Sequence, residues 1–129
     1  MPTPVSQVFY VIGQGATLEA PFTVAVNGQA VDITNSTFRS TIKMDYAIPD
    51  SDPTVIMIDW TGSGSNPNPG SNGLPGLGQT MLRIPSDTTR DMAVGKWYGQ
   101  VRGEDVPNLP DVTDLYFYTL DVRQVVSNR

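Results

Sequence analysis

Apolar and polar residues alternate with a period of two along most of this chain, and nowhere do they recur at helical spacing for more than one or two turns. Residues 79–103 show the pattern best. Thr80, Leu82 and Ile84 alternate with Met81 and Arg83, which predicts a half-buried strand. Pro85 ends it, because proline has no N–H to give a ladder. Ser86 or Asp87 is placed to cap a single helical turn over residues 88–92, and Gly95 reopens the chain. A second alternation then sets Trp97, Gly99 and Val101 on one face against Lys96, Tyr98, Gln100 and Arg102 on the other. The whole stretch predicts a strand–turn–strand at the rim of a β-sandwich.

The same reading extends in both directions. Residues 1–7 hold two prolines and little to bury, so residues 1–12 are expected to form an extended N-terminal arm or first strand. Within it Val8, Phe9, Tyr10, Val11 and Ile12 are apolar without alternation, which calls for cover on both faces and makes these five candidates for contact with a neighbouring subunit. On that reading the arm can be deleted without unfolding the rest. Phe22, Val24 and Val26 alternate ahead of Asn27-Gly28, a strong hairpin signal, and Val31 and Ile33 follow as rim packing. Phe38, Ser40, Ile42 and Met44 oppose Arg39, Thr41 and Lys43. After a turn at residues 49–53, Thr54, Ile56, Ile58 and Trp60 share a face. Residues 61–78 are crowded with Gly, Pro, Asn and Ser and predict a long exposed loop, in which Leu74 and Leu77 are the apolar contact candidates. A last strand sets Tyr116, Tyr118, Leu120 and Val122 against Phe117, Thr119 and Asp121. About seven strands in all, with turns at sandwich spacing, predict one domain over residues 13–129 behind the arm.

Composition narrows the chemistry more than the fold. The 129 residues include no cysteine, which fits a reducing compartment. They include no histidine either, which removes the commonest general base, metal ligand and nucleophile partner. A net charge of −5, with the eight basic residues scattered, argues against binding through nucleic-acid phosphates. No apolar run reaches the length of a membrane-spanning helix, and the first residues lack the basic start of a signal peptide. A protein without cofactor, made in a cytoplasm, is expected.

Several local patterns resemble sites and fall short. Gly13-Gln14-Gly15 lacks the third glycine and the helix of a dinucleotide fingerprint. The glycines of residues 61–78 lack the Gly-Lys-Ser/Thr that holds a triphosphate. Asp50-Ser51-Asp52 begins like a calcium loop but has neither its glycine nor its distal glutamate. Asp45, Asp59, Glu104 and Asp105 could furnish a carboxylate pair for glycoside hydrolysis only if they converged. Tyr98 and Phe117 with Trp60 could form a sugar-binding platform, or cross-strand pairs, or a protein interface.

Two ordered sets of motifs carry a resemblance. Gly28-Gln29-Ala30-Val31-Asp32-Ile33-Thr34 is followed by Ser36-Thr37-Phe38-Arg39-Ser40-Thr41-Ile42-Lys43. Later come Ile84-Pro85-Ser86-Asp87-Thr88-Thr89, Gly95-Lys96-Trp97-Tyr98 and the tail Val122-Arg123-Gln124-Val125-Val126-Ser127-Asn128-Arg129. In order and spacing these resemble the small immunoglobulin-like β-sandwich modules of phage tails and baseplates, specifically the N-terminal domain of upper-baseplate proteins. The likeness spans roughly residues 15–129. It departs at the loop of residues 61–78, and the further domains of upper-baseplate proteins have no counterpart here. The resemblance implies an all-β, immunoglobulin-like antiparallel β-sandwich. It also implies a non-enzymatic virion structural protein that docks in the tail, baseplate or fibre-attachment apparatus and is assembled in the host cytoplasm. Expected partners are other virion proteins and copies of itself, neither nucleic acid nor membrane. A capsid decoration (cement) protein is the alternative within that class. A carbohydrate-binding module contacting a host-surface glycan is the alternative outside it. Contact candidates are Val8, Phe9, Tyr10, Val11, Ile12, Trp60, Leu74, Leu77 and Tyr98.

Overall fold

Four of the alternating segments and the apolar run of residues 8–12 pair into one mixed sheet. A computed structural model of the protein describes residues 6–62 and 75–124. Within them lie β1 (Ser6–Gly13), β2 (Leu18–Thr23), β3 (Ala25–Val26), β4 (Gln29–Ala30), β5 (Thr37–Lys43), β6 (Ile56–Thr61), β7 (Gln79–Ile84), the single-turn helix α1 (Ser86–Arg90), β8 (Gly95–Glu104) and β9 (Val112–Arg123). The large sheet runs β1-β9-β8-β5-β6, while β2 pairs with β7 and β3 with β4. The result is all-β and sandwich-like, because one buried cluster draws on both larger sheets: Ala20, Leu82 and Ile84 from the small one, Ile42, Trp97, Val101, Tyr118 and Leu120 from the large one.

The expected wholly antiparallel arrangement needs correcting. β1 runs parallel to β9 over its full length, with Val8 beside Tyr118, Tyr10 beside Leu120 and Ile12 beside Val122. Residues 8–12 are therefore a strand of this chain's own sheet. Their unbroken apolar run has a simple cause: Ile12 is buried and Tyr10 half-buried on the inner face, while Phe9 and Val11 look outward. Deleting residues 1–12 removes core, so the expectation of a dispensable arm fails for residues 6–12. Residues 1–5 lie outside the described ones, as do residues 63–74 of the expected loop.

Other local expectations resolve in detail. Asn27 and Gly28 both adopt positive φ, 53° and 81°, the geometry of a tight primed turn between β3 and β4. Helix α1 starts at Ser86 with Pro85 at its cap position, and neither Ser86 nor Asp87 makes a side-chain cap. Thr89 anchors that turn instead, donating from Oγ1 to the Ala16 carbonyl at 2.6 Å. Met44 is exposed where the alternation placed it inward, because β5 ends at Lys43.

Packing on the inner face is set by a glycine. Gly99 on β8 sits between Ile42 on β5 and Tyr118 on β9. The Tyr118 ring lies directly over it, so a Cβ at position 99 would come within 2.1 Å of Tyr118 Cζ. Lying flat across β8, Tyr118 reaches Ser40 on β5, and the two buried hydroxyls hydrogen-bond at 2.5 Å. A buried hydroxyl without a partner costs about 1–3 kcal/mol, so this bond also guards the register. At the other end Phe38 and Trp60 stack at 5.5 Å, and the Phe22 ring from β2 meets Phe38, Trp60 and Tyr116 edge-on. Trp60 donates from Nε1 to Thr80 Oγ1 at 2.9 Å, joining the two sheets through a polar contact.

Replacing Gly99 by alanine should cost at least the roughly 1–3 kcal/mol of an overpacked core, read as a lowered urea midpoint at unchanged slope. An unchanged midpoint would show that Tyr118 can move aside freely. Burial raises the pKa of both Tyr116 and Tyr118 above the ordinary 10.0, chiefly through desolvation. A raised folded pKa means stability that is complete below pH 10.0 and is lost above it, where only the unfolded chain ionises easily. Alkaline titration followed at the tyrosinate absorbance should therefore show two tyrosines ionising together with unfolding, and one fewer in Tyr118→Phe.

Candidate docking face

The face of the large sheet turned away from the core carries the side chains that are free to meet a partner. Strand register arranges them in rows. Asp59 on β6, Arg39 on β5, Arg102 on β8 and Asp114 on β9 lie side by side. Arg39 forks onto Asp59 with bonds of 2.6 and 3.1 Å, and Arg102 donates to Asp114 at 2.9 Å. Gln100 also donates to Asp114. The next row holds Met57, Thr41, Gln100 and Phe117, and the one beyond it Lys43, Tyr98, Thr119 and Phe9. The β5, β6 and β8 members of these rows floor an open trough of about 670 Å³ lined by Arg39, Met57, Asp59, Tyr98, Gln100 and Arg102, among others.

One wall of the trough is the loop after β5, held by its own aspartates. Asp45 accepts from the Ala47 N–H at 2.9 Å, and Asp52 accepts from the N–H and hydroxyl of Thr54 at 2.8 and 2.6 Å. Lys43 Nζ bridges the Ile48 carbonyl and Asp50, each at 2.6 Å. Its hydrogen bond and charge hold the Asp50 carboxyl below the ordinary range. Asp50 and Asp52 thus brace a turn, and among the described residues no group of three acidic side chains is set to hold a metal ion. The braced loop presents Tyr46 to Tyr98, with ring centroids 4.6 Å apart.

The residues singled out from sequence divide sharply. Tyr98 is half-buried in the trough, on the face the alternation assigned to it. Phe9 and Val11 are 60% and 53% exposed on β1, with the Lys96 ammonium 6.0 Å above the Phe9 ring. Val8 and Tyr10 are half-buried and Ile12 is buried, so these three serve the core. Trp60 is a correction: at 3% exposure it points inward against Phe38 and cannot join a surface platform with Tyr98. Leu77 is exposed in a 3-10 turn, Pro75–Leu77, and Leu74 lies outside the described residues. Asp59 and Glu104 border the same trough, but Asp59 is engaged by Arg39. Sequence reading missed Tyr46, Met57 and Val112, all exposed at this face. Nothing in Tyr46's own neighbourhood marks it, since its meeting with Tyr98 spans two strands.

In comparison with known proteins, no family model and no curated sequence matches the chain. What the face can do rests on its own chemistry.

The ion pairs of this face are largely solvated, and such pairs contribute about 0–1 kcal/mol. Arg39→Ala should therefore lower stability by less than about 1 kcal/mol in urea unfolding. A loss several times larger would make the row a structural brace rather than a surface available to a partner.

Proposed function

We propose that the protein is a non-enzymatic docking module of a virion, built on an immunoglobulin-like sandwich and working in a tail, baseplate or fibre-attachment position. The observation that carries the docking reading is where exposed apolar side chains collect. Phe9, Val11, Tyr46, Met57 and Val112, five of the eight large hydrophobics exposed among the described residues, lie on or beside the outer face of one sheet. Scattered singly they would be ordinary, but gathered on one face with Tyr98 and two Asp–Arg pairs they have the make-up of a recognition surface. The immunoglobulin-like reading is supported by connectivity. β5 and β6 form a hairpin, β7 crosses to pair with β2, β8 returns beside β5, and β9 pairs with β8 ahead of β1 at the sheet's end, which is the Greek-key logic of that fold. The virion reading is supported by the ordered motifs of residues 28–43 and 84–98.

A second reading has its own support. Tyr46 and Tyr98 beside Gln100, Asp59 and Arg102 offer a stacking surface with polar groups at its edge, as glycan sites do, although without Trp60. Quantitative mass spectrometry of purified particles separates these readings. A tail or baseplate component is expected at tens of copies per particle and a cement protein at hundreds. Absence from the particles, together with glycan binding lost on Tyr98→Ala, would overturn the virion assignment in favour of a lectin.

A further inference from the structure

We propose that β1 is a self-pairing edge, on which a second copy of this chain adds its own β1 antiparallel to the first and joins two five-stranded sheets into one. The starting point is how each sheet edge is protected. Unpaired strand edges invite another chain, and proteins block them with charge, proline or a bulge. β6, at one end of the large sheet, carries Asp59 at its middle, tied to Arg39. In the small sheet β2 carries Glu19 and Pro21, and β7 carries Arg83 paired to Glu19. β1 reads SQVFYVIG. Over eight residues it has no charge, no proline and no register shift, and among the described residues only β9 pairs with it.

The backbone supplies the geometry. The Gln14 N–H donates to the Arg123 carbonyl at 2.9 Å, continuing the β1–β9 ladder. By the period of two, even-numbered residues of β1 turn their N–H and C=O toward β9, and Phe9 and Val11 turn theirs to the open edge. A two-fold axis beside Tyr10 sets Phe9 of one copy opposite Val11 of the other, twice, with each pair exchanging N–H···O bonds. On the outer face, an aromatic then meets a β-branched side chain at both positions, a favourable cross-strand pair. Shifting the axis by one residue sets Phe9 against itself and Val11 against Gln7, or Val11 against itself and Phe9 against Gly13. Both alternatives lose apolar pairing, so the sequence of β1 selects one register. Because β1 carries no charge, self-pairing brings no like charges opposite one another, whereas the outer face would set its Asp59–Arg39–Arg102–Asp114 row against an identical row.

This contact is smaller than the roughly 1,200–2,000 Å² of a stable interface, so dimers are expected at high concentration or where an assembly holds copies together. The inference shares Phe9 and Val11 with the docking reading, but a dimer in solution and incorporation into a particle are measured separately, and either can fail alone.

Sedimentation of the full chain from about 10 μM to about 1 mM should show monomer converting to dimer. Val11→Lys, which places a charge of the kind that natural edges use, should stay monomeric with an unchanged melting temperature. Val94→Lys, replacing an apolar side chain equally exposed elsewhere, should dimerise like the wild type. Because the chain has no cysteine, register can be read directly. An oxidised equimolar mixture of Phe9→Cys and Val11→Cys should give the mixed disulfide at least about fivefold over either homodisulfide, against the roughly twofold of random collision. Wild-type monomer throughout the range, dimerisation undiminished by Val11→Lys, or a random disulfide yield would each overturn the proposal.

Discussion

Tyr118 lying across Gly99 to bond Ser40 is the contact on which the rest of the sheet depends. It involves three adjacent strands at once. A one-residue slip of β9 against β8 would put a side chain where the ring must lie, and a slip of β5 would leave two buried hydroxyls without partners. With that register held, Trp97 meets Leu120, Val101 meets Tyr116, and the inner face closes over the small sheet. The outer face follows automatically. Once Gly99 faces inward, Tyr98 and Gln100 face outward, and Arg102 falls beside Arg39.

The second constraint is topological. β1 closes the sheet against β9 in parallel, so the beginning of the chain is bound to the last strand rather than to its sequence neighbour. Closing so long a loop has an entropic cost that local contacts do not recover, and Tyr10, packed edge-on to Tyr118 at 5.8 Å, and the buried Ile12 offset it. Two side contacts tie the same region down: Gln14 Nε2 donates to the Met92 carbonyl at 2.8 Å, and Thr89 bonds Ala16. Among the described residues, the strand anchored in this way is also one that carries no charge and no proline along its outer edge.

Legibility varied with the range of the interaction involved. Alternation located the inward sets of β5, β7, β8 and β9, because the pleat of a strand needs no partner to express itself. Asn27-Gly28 announced its turn for the same local reason. Trp60 alternates with Ile58 and so falls among the inward residues, but only Phe22 and Phe38 closing over it make the burial evident. The candidate face was legible by halves. Tyr98 and Phe9 stood out as large apolar side chains, while Tyr46 did not, because what makes it part of a site is a braced loop folding back onto a strand far away in sequence.

By itself, then, the order of residues determined that this chain makes strands, where most of them turn, and which side of β5, β7, β8 and β9 meets the core. Those properties follow from the two-residue period, from proline and glycine, and from side-chain oxygens acting on nearby backbone. Only the tertiary structure decided which strands are neighbours, that β1 and β9 run parallel, that a row of two Asp–Arg pairs crosses the outer face, and that among the described residues only β9 pairs with β1. Pairing is a choice among distant segments of similar composition. It is settled by which arrangement buries Tyr118, Trp60 and Ile42 together while pairing the Tyr118 and Ser40 hydroxyls, a condition that no single segment can state.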